Sequence, residues 1–131
     1  MNELLLNRAT VQEIQLELVR RTNRNAFEGE KIYTSLLKHR DLWLALILDR
    51  LGLGGDSLDL IKLRDLPMNI WNVSTLFILT KTHEQAEELA RIMEEEKWDA
   101  DEIEVGKNRK EIAKALGISG GLYGLIRVWW D

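Results

Sequence analysis

The sequence predicts an α/β protein in which an N-terminal helical hairpin precedes a small parallel sheet with helices on both faces. Two patterns predict this class. The N-terminal part repeats apolar residues every three or four positions, which is typical of helices. The C-terminal half alternates short apolar runs with helical periodicity, in the order strand, helix, strand, helix, strand, which favours a parallel sheet. The 131 residues, 45% of them hydrophobic, suffice for one domain, divided into a hairpin (1–52), a connector (53–70) and a β-α-β-α-β unit (71–131).

The first helix is predicted to begin at a capping box formed by Thr10 and Glu13. In such a box each side chain binds the backbone N–H of the other residue. Val11, Ile14 and Leu18 follow at helical spacing, with Val19 beside them. We expect these three side chains to face the core.

A second, longer helix is predicted from a similar pair, Asn25 and Glu28, as far as Leu51. Gly52 is suited to end it, because glycine readily adopts the left-handed conformation of a helix cap. The apolar positions of this helix are Ile32, Leu36, Leu37, Trp43, Leu44, Ile47, Leu48 and Leu51.

The connector is the least regular part of the sequence. Residues 58–66 alternate imperfectly between apolar and polar side chains, and they fit either a short strand or a turn of helix. Pro67 ends the segment, because proline has no backbone N–H to donate. A strand in residues 58–64 would enlarge an otherwise narrow sheet.

Three strands are predicted, over residues 73–80, 102–105 and 122–130. The first and last are nearly continuously apolar, whereas the middle one carries acidic residues at alternate positions. We therefore expect the acidic strand at an edge of the sheet, in the spatial order 2-1-3. The connecting helices are predicted to begin at Thr82 and Asn108.

In open parallel sheets, ligands bind where the carboxyl ends of the strands meet. Backbone N–H groups at helix starts and nearby cations can hold an anion there, although the sequence contains no glycine-rich phosphate loop. The end of the last strand, residues 129–131, is expected on the same rim. The predicted small-anion or nucleotide site consists of Thr80, Lys81, Thr82, Lys107, Asn108 and Arg109.

The chain contains five tryptophans, and three of them are candidates for an interface. Trp129 and Trp130 are adjacent in a strand, so their side chains point to opposite faces of the sheet. Both belong to the core if both faces are covered, and one is a partner anchor if a face is open. Trp71 precedes the first strand, where it could lie at a sheet edge.

The residue types present exclude several chemistries. The absence of cysteine excludes disulfides, cysteine nucleophiles and thiolate metal sites. His39 and His83 are too far apart for a short two-histidine metal motif, and Ser119 lacks the glycine spacing of a nucleophile elbow. We predict no catalytic residue, no metal site and no cofactor, and we favour a protein that is not an enzyme.

The net charge of −4 is unevenly distributed. Residues 83–105 contain ten acidic side chains against Arg91 and Lys97, a local charge of −8 that would repel nucleic acid. A nucleic-acid contact through Arg20, Arg21 and Arg24 is correspondingly disfavoured.

The sequence contains no apolar stretch long enough to span a membrane and no N-terminal signal-peptide pattern, so we expect a cytoplasmic protein. The preferred function is a non-enzymatic protein-interaction or regulatory module, which binds a protein partner or associates with itself. The alternative function is small-anion or nucleotide binding, with or without catalysis, at the rim of the sheet.

Overall fold

A computed structural model of the chain describes residues 6–24, 26–48, 63–71, 73–107, 110, 112–113, 117 and 123–130. Three α-helices and six strands are assigned within these ranges, together with 3-10 helices at Arg40–Leu42 and Leu63–Met68. In chain order the elements are α1 (Val11–Arg21), β1 (Asn23–Arg24), β2 (Phe27–Glu28), α2 (Gly29–Lys38), β3 (Ala45–Leu48), β4 (Thr75–Thr80), α3 (His83–Glu95), β5 (Glu102–Val105) and β6 (Gly124–Trp129).

The main sheet has four strands in the order β3-β4-β6-β5, and every neighbouring pair is antiparallel. The predicted parallel sheet and the predicted order 2-1-3 are therefore wrong. The acidic strand β5 does lie at an edge, but its neighbour is β6. Arg127 of β6 lies opposite Glu104 and forms ion pairs with Glu102 at 3.0 Å and Glu104 at 3.7 Å. These cross-strand charges favour the observed neighbour.

The order of strands and helices misled the topology prediction for an identifiable reason. Since β4 and β5 are both antiparallel to β6, they run in the same direction, as expected for two strands joined by a helix. They are not adjacent, however, because β6 is inserted between them. The helix between β4 and β5 therefore agrees with their shared direction but does not determine their pairing, and β5 and β6 are antiparallel although helical residues 110, 112 and 113 lie between them.

The predicted second helix is also wrong in its extent. It starts at Gly29, preceded by Glu28, whose side chain makes no capping bond, and it ends at Lys38. Residues 40–48 form the 3-10 turn and then β3, which pairs with β4, and residues 49–51 of the predicted helix lie outside the described ranges. A short run of large apolar residues fits either a buried helix or a buried strand, which explains the error. The fourth strand thus comes from the predicted hairpin, while residues 58–62 lie outside the described ranges.

The helices α1, α2 and α3 pack on one face of the sheet around a single core. Trp130 lies fully buried there, with its ring 4.5 Å from that of Phe27 and stacked 6.4 Å from that of Trp98. On the opposite face, the described residues form a small apolar cluster of Phe77, Leu125 and Ile112 with Ile47 beside it. The three assigned helices share one face, while Ile112, which is helical, packs on the other, so the predicted placement of helices on both faces is not overturned.

The outer edge of β3 is closed by glutamine side chains of α1. Gln12 pairs with Leu46 through both of its amide atoms: Nε2 donates to the Leu46 carbonyl at 2.9 Å, and Oε1 accepts from the Leu46 N–H at 2.7 Å. Gln15 accepts from the Leu48 N–H at 3.0 Å. These bonds satisfy backbone groups that an edge strand otherwise offers to another chain. The capping box of Thr10 and Glu13 is confirmed at the start of the same helix.

We expect the substitution Gln12→Ala to lower the free energy of unfolding by about 1 to 2 kcal/mol, because it leaves two backbone groups of Leu46 without protein partners. The exposed strand edge should also increase aggregation. Urea denaturation and light scattering during incubation measure the two effects. Val11→Ala in the same helix is the control, since Val11 is 74% exposed. Equal behaviour of the two variants would contradict the proposed closure of the edge.

Candidate functional site

The predicted anion rim is only partly assembled. The carboxyl ends of β4 and β5 do lie at one end of the sheet, because these strands run in the same direction on either side of β6. Lys81 and Lys107 follow those ends and are both exposed. Asn108 and Arg109 lie outside the described residues. Trp129 ends β6, which runs the other way, so it lies at the opposite end of the sheet.

The two threonines of this rim make internal hydrogen bonds. Thr80 is fully buried, and its hydroxyl donates to the Thr82 carbonyl at 2.6 Å. It also packs against Gly124, where a Cβ atom would lie 2.3 Å from the Thr80 oxygen. The Thr82 hydroxyl accepts from the Gln85 N–H at 3.1 Å and caps α3. These contacts give both hydroxyls a role in the fold, so the two lysines are the accessible members among the described residues of the rim.

The three tryptophans proposed for an interface occupy different environments. Trp130 is fully buried, and its Nε1 donates to the Trp98 carbonyl at 2.9 Å. Trp129 is half-buried on the opposite face of the sheet, and its interface role stays a prediction. Trp71 is half-buried and borders a groove, with its Nε1 donating to the Leu48 carbonyl at 3.3 Å.

This groove, called the α1 groove here, lies between the C-terminal end of α1 and residues 66–71. Its volume is about 330 Å³, which is within the range of small-ligand and side-chain pockets. Among the described residues, four apolar side chains line it together with four polar ones, of which Arg21 is charged. The lining residues are Leu18, Arg21, Thr22, Asn23, Leu66, Asn69, Ile70 and Trp71.

An exposed row of apolar residues leads along α1 into the groove. Val11, Ile14 and Leu18 share one side of the helix because they are three and four positions apart. Val11 is 74% exposed and Ile14 is 46% exposed, whereas Leu18 lines the groove. We call these three residues the α1 stripe. The expectation that they face the core fails for Val11 and Ile14, because Gln12, Gln15 and Val19 occupy the side of α1 that faces the sheet and its edge.

More apolar side chains are exposed across the groove from the stripe. Leu66, Met68 and Ile70 are all exposed, and Leu66 and Ile70 also line the groove. Contiguous apolar surface of this kind marks interaction sites more often than single exposed residues do. The sequence signal was present, since residues 66 and 70 are apolar and four positions apart, but the proline at 67 obscured a helical interpretation of the segment.

Ion pairs on α1 fix the orientation of Arg21 at the groove. Glu17 accepts hydrogen bonds from Arg20 and from Nε of Arg21, and Arg20 also donates to Glu30 at 2.8 Å. The bonds from Arg20 and Arg21 lower the pKa of Glu17 to about 2. Among the described residues, the two terminal nitrogens of Arg21 have no hydrogen-bond partner. Arg20 is engaged in two ion pairs, which gives the disfavoured nucleic-acid contact no support from this part of the chain.

A second cleft, of about 430 Å³, is lined by α2 and by Glu96 at the end of α3. Glu96 accepts from Ser35 Oγ at 2.7 Å, from His39 Nε2 at 2.7 Å and from Lys38 Nζ at 3.3 Å. Hydrogen bonds from His39, Ser35 and Lys38 lower the pKa of Glu96 to about 2. Ser35 also accepts from Nε1 of Trp98 at 2.9 Å. The carboxylate therefore joins the ends of two helices.

These residues do not form a nucleophilic triad. In a catalytic triad the histidine accepts the serine proton, and the acid orients the histidine. Here the hydroxyl of Ser35 donates directly to one oxygen of Glu96, and His39 binds the other oxygen. The carboxylate thus lies between the histidine and the hydroxyl, and this arrangement holds the ends of α2 and α3 together.

The pKa of Glu96 predicts a pH-dependent contribution to stability. A carboxyl group whose pKa falls from 4.5 to about 2 on folding stabilises the protein fully above about pH 4.5. This contribution is lost as the pH falls from 4.5 towards 2. Since a quarter of the side chain is exposed, we expect about 1 kcal/mol.

Urea denaturation between pH 2 and pH 7 measures this contribution in the variant Glu96→Gln. The difference in stability between the wild-type protein and the variant should shrink as the pH falls below 4.5. Glu94→Gln, at an exposed position of the same helix, is the control, and its free energy of unfolding should depend on pH as that of the wild-type protein does. If this pH dependence is unchanged in both variants, Glu96 does not hold the two helices together.

In the part of the chain that the structure describes, no helix is long and apolar enough to cross a membrane. No group of three or more histidine and carboxylate side chains there could hold a metal ion. Comparison of the whole chain with protein-family models, with curated proteins and with solved structures gives no significant match, so only its own residues and their geometry indicate its function.

Proposed function

We propose that the protein is an interaction module, which binds an apolar segment of a protein partner along the α1 stripe and in the α1 groove. The observation that carries this proposal is the continuity of exposed apolar side chains from Val11 and Ile14 to Leu66 and Ile70 around one groove. Trp71 borders the groove, and tryptophan is among the side chains that most often dominate binding energy. We place this activity in the cytoplasm, as expected from the cysteine-free sequence.

Charge favours a different protein as the partner over a second copy of this chain. The charged residue among the described residues that line the groove, Arg21, is cationic, so an apolar segment with an acidic neighbour complements it. In this chain the acidic segment is residues 83–105, and most of its acidic residues lie on or near α3. The apolar residues Ala86, Leu89, Ile92 and Met93 of that helix are buried. Among the described residues, the chain's other exposed large apolar side chains outside the site, Leu6, Leu37 and Leu44, do not lie on that acidic helix.

Site-specific photocrosslinking in cells that express the chain tests the proposal. A benzophenone amino acid is placed at Ile14 or Ile70, and at Glu87 on α3 as the exposed control. We expect one discrete adduct from positions 14 and 70, absent from position 87 and lost when Leu66→Ser is added. An adduct of twice the 15.2 kDa chain mass would identify the partner as a second copy. Absence of an adduct, or the same adducts from position 87, would overturn the interaction proposal.

The alternative function, small-anion binding, is supported by the shared rim position of Lys81 and Lys107. Thermal unfolding with inorganic phosphate or with ATP discriminates it from the interaction module. A saturable rise in the unfolding temperature that disappears in the double variant Lys81→Ala, Lys107→Ala would favour this alternative. A flat response to both ligands would exclude it.

A further inference from the structure

Arg21 has a feature that the apolar groove alone does not explain. Its Nε binds Glu17, while the terminal nitrogens Nη1 and Nη2 have no partner in the described part of the chain. The side chain is 66% exposed and lines the α1 groove beside Leu18 and Thr22. A guanidinium held through Nε presents its two terminal nitrogens as a planar pair of donors.

A planar pair of N–H donors matches the two oxygens of a carboxylate, which bind it with two parallel hydrogen bonds. The neighbouring wall of the groove is apolar, with Leu66, Ile70 and Trp71 in it. We propose that the α1 groove recognises an apolar side chain that is immediately followed by a carboxylate, with Arg21 as the residue that determines this specificity. The proposal rests on the interaction function proposed above and names the chemistry of its partner.

The geometry of the remaining donors supports a carboxylate over other acceptors. Arg20, Arg21, Glu17 and Glu30 form one ion-pair cluster in which two positive and two negative charges balance. Within the described part of the chain, Nη1 and Nη2 of Arg21 are not engaged by this cluster. An acceptor with one oxygen would bind one of these donors, whereas the two oxygens of a carboxylate would bind both.

The carboxylate has two sources in a protein partner: an Asp or Glu side chain, or the C-terminal group of a chain. Their shared chemistry is a planar anion with two acceptor oxygens, which Arg21 binds equally well. Peptide libraries distinguish them, since one library can display random peptides with a free C-terminus and another can display them internally within a carrier protein.

The experiment selects peptides from both libraries against the full chain and measures the affinity of the enriched peptides by fluorescence anisotropy. We expect enriched peptides with a large apolar residue next to Asp, Glu or the free C-terminus. Arg21→Gln and Arg21→Lys should each weaken their binding, by about tenfold or more for the glutamine variant. Arg91→Gln, an exposed arginine on α3, is the control and should bind as the wild type does.

The outcomes separate this inference from the function on which it rests. Leu18→Ser is included as the groove variant, and thermal unfolding checks that each variant is folded. One outcome would overturn the role of Arg21 alone. In that outcome the enriched peptides do not bind Leu18→Ser, but they contain no excess of acidic residues and they bind Arg21→Gln as tightly as the wild type. The interaction function would then still stand. Failure to enrich any peptide whose binding depends on Leu18 would overturn both.

Discussion

Gly29→Ala is expected to lower the free energy of unfolding by about 3 kcal/mol, which corresponds to a fall of roughly 10 °C in the unfolding temperature. Gly29 begins α2 where it crosses the end of α1. A Cβ atom there would lie 2.3 Å from the Val19 carbonyl oxygen, 2.4 Å from that of Thr22 and 2.5 Å from that of Arg20. Three backbone oxygens cannot be moved by a side-chain rotation, so the two helices must separate.

Gly106→Ala is the matched control for this substitution. A Cβ atom at Gly106 would meet its nearest neighbour, the Leu125 carbonyl oxygen, at 3.4 Å, which is ordinary contact. Differential scanning calorimetry of both variants measures the expected difference. If the two alanines cost the same, the close approach of α1 and α2 at Gly29 is not a determinant of the fold.

Trp130→Ala is expected to have the second large effect, a loss of about 4 kcal/mol. The indole is fully buried between Phe27 and Trp98, so its removal leaves a large cavity at the centre of the core. It also leaves the Trp98 carbonyl without its donor. Trp130→Phe retains most of the apolar volume and loses that hydrogen bond, so we expect it to cost about 1 to 2 kcal/mol.

Trp129→Ala provides the comparison, because the neighbouring residue is half-buried on the other face of the sheet. Its cost in the same urea titration should be about 1 to 2 kcal/mol. Near-ultraviolet circular dichroism should lose the signal of the stacked indoles in Trp130→Ala and keep it in Trp129→Ala. A larger cost at Trp129 would contradict the position of Trp130 at the centre of the core.

Local features of the fold could be predicted from the sequence, because they depend on a few neighbouring residues. The cap of α1 at Thr10 and the cap of α3 at Thr82 are both confirmed. At α3, Thr82 and Gln85 do not form a complete capping box, because Oε1 of Gln85 is buried without a hydrogen-bond partner among the described residues. The acidic alternation of β5 correctly indicated an edge strand.

Strand pairing could not be predicted, because it depends on residues far apart in the chain. Both β4 and β6 are apolar enough for a central position. The hydrophobic pattern alone therefore does not choose between the predicted order β5-β4-β6 and the observed order β4-β6-β5. The charge of Arg127 between Glu102 and Glu104 was the one available signal for β6 beside β5. The strand β3 was missed because six consecutive apolar residues from Trp43 to Leu48 fit both kinds of element.

The candidate site was mostly missed for a related reason. Val11, Ile14 and Leu18 form a regular apolar side of α1, and such a side usually faces the core. In this protein the glutamines on another side of the helix bind the edge of β3, which rotates part of the apolar side towards solvent. Of the three tryptophans that were predicted to lie at an interface, the proposed site retains Trp71, which borders the groove.

The double role of α1 would link the proposed partner binding to the solubility of the chain. One side of this helix holds the edge of β3 through Gln12 and Gln15, and another side forms a wall of the α1 groove. Transient detachment of α1 would therefore destroy the groove and expose the strand edge in the same event. A ligand that binds only the docked helix makes that event rarer by mass action. The partner would thus act as a chaperone for the sheet, and its depletion would appear as slow aggregation of an otherwise native protein.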